Sequence, residues 1–271
     1  MVNARIGGHE VGDGRPLLLI CGPDVVEGEE ITLRCARAVK EIAARHGLPL
    51  VFKCSVDKAN RTSLKAFRGI GLSQGLAVLS RVKAEIGLPL LIDAHEPGQV
   101  PAIAAVADVV QVPAFLCRQT DLLIACGRSG RAVNLKKGQF VAPRDMRHAL
   151  AKVRESGCAD VLLTERGSCF GYNNLVVDLR SLSVMRSLGA PVCFDATHSV
   201  QLPSAAGDSP GGERQFVRPL ARAAVAAGVD ALFLEVHEDP AQARCDGPNS
   251  LDFAELELLL REVVAIRKAL A

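Results

Sequence analysis

A closed (β/α)8 barrel, the TIM-barrel class of α/β fold, is what this chain of 271 residues predicts. Three observations lead there. Short apolar runs alternate strictly with stretches of helical periodicity from residue 16 onward, which implies a parallel sheet. Eight such units fit into about 250 residues, the count and size of a barrel that closes on itself. Polar residues gather at the C-terminal ends of the apolar runs and prolines (Pro16, Pro49, Pro89, Pro191) at the other, the polarity of a barrel with its chemistry at one face. A doubly wound open sheet is the alternative. Against it, no G-x-G-x-x-G opens a helix after the first strand, and no composition shift marks a boundary, so one domain over 1–271 is expected.

Residues 4–16 place Gly7-Gly8 and Gly12-Asp13-Gly14 between short apolar pieces and read as an N-terminal capping hairpin. The run PLLLICG at 16–22 is the first buried strand. The helix expected over 28–46 carries Ile31, Cys35, Ala38, Val39 and Ile42 on one face and stops at Gly47. Further strands are expected at 49–55, 89–95, 108–114, 132–137, 160–166, 191–197 and 231–237, as short apolar runs suited to a sheet covered on both faces. Helices are expected between and after them at 72–86, 98–105, 120–129, 143–156, 178–188, 213–227 and 252–269.

Composition removes several classes of function. Hydrophobic residues make up 49% of the chain, yet no apolar run approaches the roughly 18 residues of a membrane helix, so no membrane association is expected. The first residues, MVNARIGGHEVGDG, lack the apolar core of a signal peptide, and a cytoplasmic location is expected. The nine cysteines are scattered without a C-x-x-C pair, giving neither a disulfide framework nor zinc-finger spacing. Net charge +2, one Tyr and no Trp supply no basic stripe or stacking platform for nucleic acid.

The candidate site begins at 50–69, LVFKCSVDKANRTSLKAFRG, where an apolar run ends in Lys53, Lys58, Arg61, Lys65 and Arg68. Ser55, Asp57, Asn60, Thr62 and Ser63 lie between these cations. Short donors and acceptors interleaved with positive charge suit an anionic, hydroxylated ligand better than a solvated loop. In a closed barrel Lys53, Lys136 and Arg166 would face one mouth, and such gathered cations imply a phosphate or carboxylate among them. Asp24, His198, Glu235 and Asp246, from the first, seventh and eighth units, would converge as a second group able to bind a divalent metal or transfer protons. Two loops rich in Gly, Pro, Ser and Asp, 199–212 and 237–250, have the composition of a lid.

Seven runs then carry a resemblance: FKCSVDKANRTS at 52–63, DAHEP at 93–97, QVPAFLCRQTDL at 111–122, NLKKGQF at 134–140, RGSCFGYNNLVVD at 166–178, FDATHSVQ at 194–201 and CDGP at 245–248. In this order they resemble the 3-deoxy-D-manno-octulosonate 8-phosphate (KDO 8-phosphate) synthase family over essentially the whole chain. The resemblance implies a (β/α)8 barrel, a homotetramer, and condensation of phosphoenolpyruvate with D-arabinose 5-phosphate and release of inorganic phosphate, in lipopolysaccharide synthesis. It implies that Lys53, Ser55, Lys58, Gln111, Lys136 and Arg166 hold phosphoenolpyruvate, that Asn60, Arg61 and Thr62 hold the pentose phosphate, and that Arg118 reaches a neighbouring subunit's sugar phosphate. Lys53, Lys58, Asp93, His198 and Asp246 become the expected catalytic groups. The implied chemistry needs no side-chain nucleophile or organic cofactor, only positioning, charge stabilisation and proton relay.

Two other functions compete. The sister 3-deoxy-D-arabino-heptulosonate 7-phosphate synthases take erythrose 4-phosphate and carry a Pro-Arg-Thr type sequence where this chain has K-A-N-R-T-S. A catalytically silent phosphosugar-binding barrel would have lost its strand-end polar groups, and almost none are lost.

The metal question stays open in the sequence. In the family this chain resembles, metal-dependent members have Cys after the Gly-Pro that ends the first strand and metal-independent members have Asn; this chain has Asp24. The run CDGP accompanies Asn and argues for no metal. Charge argues the other way, because Asp24, Glu235 and Asp246 cannot all stay ionised at close range without a cation or a bound proton. One His with three carboxylates suits Mn²⁺ or Fe²⁺ more than a thiolate-loving ion, with Zn²⁺ and Mg²⁺ also to be tried.

Overall fold

The computed structural model describes residues 2–61, 63–203 and 211–270. Eight strands, β1 (Leu18–Gly22), β2 (Leu50–Lys53), β3 (Leu90–Asp93), β4 (Val109–Val112), β5 (Ala132–Lys136), β6 (Val161–Glu165), β7 (Val192–Asp195) and β8 (Ala231–Glu235), pair in sequence order and close, with β8 against β1. Every pairing in this barrel is parallel. The helices that follow the strands are α1 (Glu29–Arg45), α2 (Leu72–Arg81), α3 (Val100–Val106), α4 (Thr120–Gly127), α5 (Met146–Glu155), α6 (Arg180–Arg186), α7 (Val217–Ala226) and α8 (Phe253–Ala269).

The strands are shorter than the apolar runs that announced them, because the last residues of each run leave the ladder and turn into the mouth. The run expected as a strand over 49–55 is β2, four residues long. Helix starts differ in kind: 3-10 turns at Pro143–Asp145 and Arg214–Phe216 precede α5 and α7, and α2 ends in a π turn at Val82–Ile86. At α8 the side chain of Asp252 accepts from the Glu255 amide while Glu255 returns a bond to the Asp252 amide, a capping box that fixes where the helix begins.

Alternation along each strand sorts the side chains into two cores. Leu19, Phe52, Leu90, Val110, Leu163 and Leu232 pack outward beneath the helices. Their neighbours Ile20, Val51, Leu91, Val109, Leu162 and Phe233 fill the barrel interior. Continuing that inward parity toward the C-terminal ends reaches Lys53, Asp93, Gln111, Lys136, Asp195 and Glu235, all buried. The apolar floor and the polar ceiling are thus one period-two pattern.

The expected hairpin is Asn3–Ile6 paired antiparallel with His9–Gly12. Its Ile6 and Val11 are fully buried in the interior core, so the hairpin plugs the N-terminal end of the barrel. It turns at Gly7, where φ is +57 and an added Cβ would lie 2.6 Å from the Val51 side chain. Among the described residues no helix is long and apolar enough to cross a membrane.

Candidate active site

At the C-terminal mouth lies a cavity of about 260 Å³. Lys53, Lys58, Asp93, Lys136, Arg166 and His198 line it, with Asn60, Arg61, Gln111 and Asp246. The groups expected to meet there from distant parts of the sequence do meet. Asp24, Ser55 and Glu235 lie buried and do not line the cavity. Thr62 lies outside the described residues, and Arg118, expected to serve a neighbouring subunit, is exposed beside Cys117 and Phe140, away from this chain's own cavity.

Lys53 is the floor of the site. Its Nζ donates to Glu235 Oε1 at 2.5 Å, to the Asp24 carbonyl at 2.8 Å and to Asp24 Oδ1 at 3.3 Å. Lys58 comes from the loop after β2 and pairs with the same Asp24 oxygen. Gly22 makes this closeness available, because a Cβ there would stand 2.0 Å from the Lys53 carbonyl oxygen. Burial alone would discharge Lys53, but Glu235 and Asp24 hold its pKa above the ordinary lysine value.

Asp24, His198, Glu235 and Asp246 each bring a ligand atom within 4.8 Å of the others. Burial and the neighbouring Asp24 carboxylate push Glu235 up, to about 8, and raise Asp246 as well. Asp24 goes the other way: burial opposes its charge, but Lys58 and Lys53 hold it well below the usual carboxylate range. The three carboxylates therefore share their charge with two ammonium groups and a proton. Arg61 adds a third cation, 3.2 Å from Asp246 Oδ1. Oxygen-rich donors that converge, with Asp24 Oδ2 buried and unpartnered, fit a divalent ion. The lysines already meet much of the negative charge such an ion would neutralise.

His198 Nδ1 lies 2.8 Å from Oδ2 of the fully buried Asp195 and 3.4 Å from Lys136 Nζ, which itself donates to Asp195 at 2.5 Å. Nε2 is left facing Glu235 at 3.5 Å and Asp246 at 3.9 Å. Burial, together with Lys136 and Arg166, outweighs Asp195 and lowers the His198 pKa to about 3, so the ring is neutral. Arg166 is buried, and its Nη2 donates to the His198 carbonyl at 2.8 Å and to Gln201 Oε1 at 2.6 Å. Gln111 is held from below through Asn134 Nδ2 at 2.9 Å, and Asn134 in turn by Thr164 at 2.6 Å. Ser55 is fully buried with an unpartnered hydroxyl oxygen.

Not every strand-end charge belongs to the mouth. Lys137 has the outward parity and is fully buried, donating to the Gly167 carbonyl at 3.0 Å and the Gly138 carbonyl at 3.2 Å, 3.4 Å from Glu165. It ties two loop bases together. Sequence reasoning assigned no role to His95, Asp195, Gln139 or Gln201, although all lie within or beside quoted runs. His95 Nε2 sits 3.2 Å from Asp93 Oδ2, an arrangement that spacing two apart at a strand end already allows. Gln139 lines the cavity, and its buried Oε1 has no partner.

Fold and site define a (β/α)8 barrel built to gather small anions over a carboxylate-rich centre. The chain belongs to the DAHP synthetase I family, whose model matches residues 3–271. It is 55% identical to the 2-dehydro-3-deoxyphosphooctonate aldolase of Synechococcus sp. over 100% of this chain and 96% of that protein. Proteins of the same name from Trichlorobacter lovleyi and Desulfatibacillum aliphaticivorans are 58% and 59% identical, over 96% of this chain and 96% and 95% of theirs.

Proposed function

We propose that this enzyme condenses phosphoenolpyruvate with D-arabinose 5-phosphate and water to give 3-deoxy-D-manno-octulosonate 8-phosphate and inorganic phosphate. The observation that carries this reading is the convergence of Lys53, Lys58, Lys136 and Arg166 on one cavity with Asn60 and Arg61. These are two anion-binding groups at different depths, as two phosphorylated substrates require. The relatives' name describes the same product class.

Lys53, Ser55, Lys58, Gln111, Lys136 and Arg166 hold phosphoenolpyruvate, and Asn60, Arg61 and Thr62 hold the pentose phosphate, with Arg118 supplied by a neighbouring subunit of a homotetramer. C3 of the enol attacks the aldehyde carbon, and the new alkoxide takes a proton from the ammonium side of the site, where Lys58 and the Asp93–His95 pair stand. Positive charge growing at C2 is met by the carboxylates beneath. Water adds at C2 and gives up its proton toward His198 or Asp246. The bond from C2 to the phosphate oxygen then breaks with its electron pair going to phosphate, and the C2 hydroxyl passes its proton to the leaving phosphate as it becomes the ketone. Asp24, His198, Glu235 and Asp246 would hold a divalent ion, most suitably Mn²⁺ or Fe²⁺ and weakly, and when bound it supplies an electrophile that polarises a coordinated oxygen.

A coupled phosphate-release assay tests the reading. Phosphate should appear from phosphoenolpyruvate only with a phosphorylated aldose, fastest with arabinose 5-phosphate. Equal turnover with erythrose 4-phosphate would move the chain to the sister activity, and no turnover with any aldose phosphate would leave a binding barrel.

A further inference from the structure

We propose that Gln201 is a positioning residue that fixes Arg166 and Asp246 relative to each other through the two ends of its amide. Its Oε1 accepts from Arg166 Nη2 at 2.6 Å, and its Nε2 donates to Asp246 Oδ2 at 2.5 Å. An amide's orientation is normally ambiguous, but the Arg166 guanidinium can only donate, so it takes the Oε1 end and leaves the NH2 end for Asp246. Gln201 therefore joins a cation of the phosphoenolpyruvate group to a carboxylate of the candidate metal and proton-transfer group. Those two residues come from loops after β6 and β8, whose strands are not neighbours in the barrel.

The amide is itself held from behind. Gln201 begins a short antiparallel pair, Gln201–Leu202 with Gly211–Gly212, in register with Gly212. Gly212 in turn packs on the loop that presents Asp246: a Cβ there would stand 1.5 Å from Asn249 Oδ1 and displace the Asn249 side chain, which is buried in that loop. The backbone of Gln201 is thus seated on the same loop that its side chain reaches. Arg166 has a matching constraint: one nitrogen is shared between the His198 carbonyl and Gln201, while its buried Nε has no partner in the protein. Losing the Gln201 bond frees the guanidinium to turn away from the ligand.

The inference rests on the reaction proposed above, and two variants separate its two ends. Gln201→Glu keeps an acceptor for Arg166 but sets a carboxylate against Asp246. It should bind phosphoenolpyruvate within about threefold of the unmodified enzyme while kcat falls about tenfold or more. Gln201→Lys keeps a donor for Asp246 but opposes Arg166, and should weaken phosphoenolpyruvate binding about tenfold or more. Gln201→Met, of similar length and without either end, should show both losses. Binding is read by titration calorimetry, turnover by phosphate release, and folding by melting temperature, expected within a few degrees for this half-buried side chain. If the unmodified enzyme binds phosphoenolpyruvate and all three variants bind and turn over alike, Gln201 does not position these groups; three variants failing in the same ratio would equally overturn the inference. If the unmodified enzyme itself fails to bind phosphoenolpyruvate, the proposed reaction is what has failed.

Discussion

Asp24 sets a third carboxylate beside Glu235 and Asp246 deep in the mouth, where ammonium groups and a bound proton answer its charge. Lys53 and Lys58 both reach its Oδ1, and Glu235 is pushed up to about 8. A raised carboxyl keeps its proton in the folded state, and the stability this contributes is present below the ordinary glutamate range and lost as pH rises from there toward 8. The ion-free protein should therefore melt at a lower temperature at pH 8 than at pH 6. A divalent ion must displace that same proton, so Mn²⁺ binding should weaken by up to about tenfold per unit as pH falls below 8. Melting curves of chelator-treated protein with and without Mn²⁺ across pH 6 to 9 check both signs. A Mn²⁺ response independent of pH, or one retained in full by Asp24→Asn, would remove Asp24 and Glu235 from the ion's ligands. The sequence already contained the conflict of three carboxylates; what it could not contain was that two lysines from the next strand unit lean across to answer it.

At the scale of elements, the strand order and the identity of every barrel strand were legible, because continuous apolar runs bounded by turns have few other readings in a chain of this length. Strand ends were less so. The same Val, Ala and Cys residues continue past the last ladder bond, and only three-dimensional closure decides which of them pair. Cys54 and Val56 are buried beyond β2 without belonging to it. Close approach is equally invisible in one dimension. Gly22 ends β1 with no positive φ to mark it, yet its hydrogen faces the Lys53 carbonyl, where a methyl group would stand at 2.0 Å from backbone that cannot yield. Gly22→Ala should force β1 from β2, with a cost of roughly 1–3 kcal/mol. Because the displaced residue is Lys53, activity should fall by more than the melting temperature alone would predict. A variant that melts lower but keeps full kcat/KM would show that the mouth does not depend on this contact. Gln201 illustrates the remaining gap: it stood inside a quoted run, but its role depends on partners 35 and 45 residues away.

The whole molecule divides its ends between two tasks. The polar ceiling carries the chemistry, and the N-terminal hairpin closes the floor with Ile6 and Val11, both fully buried against Leu18, Ile20, Val51 and their neighbours. Ile6→Ala should cost about 2–5 kcal/mol, seen as a lowered urea midpoint, while leaving the substrate KM values close to those of the unmodified enzyme. A large change in those KM values at unchanged stability would show that the floor and the ceiling are not separate. A vessel sealed at its base has a single door, and occupancy then acquires a sequence in time. Lys53, Lys136 and Arg166 lie buried, whereas Asn60 is exposed and Arg61 half-buried nearer the rim. On the proposed assignment of the two substrates, a sugar seated first at the rim would block the way down, so phosphoenolpyruvate is expected to bind ahead of it, an order that product-inhibition kinetics would check.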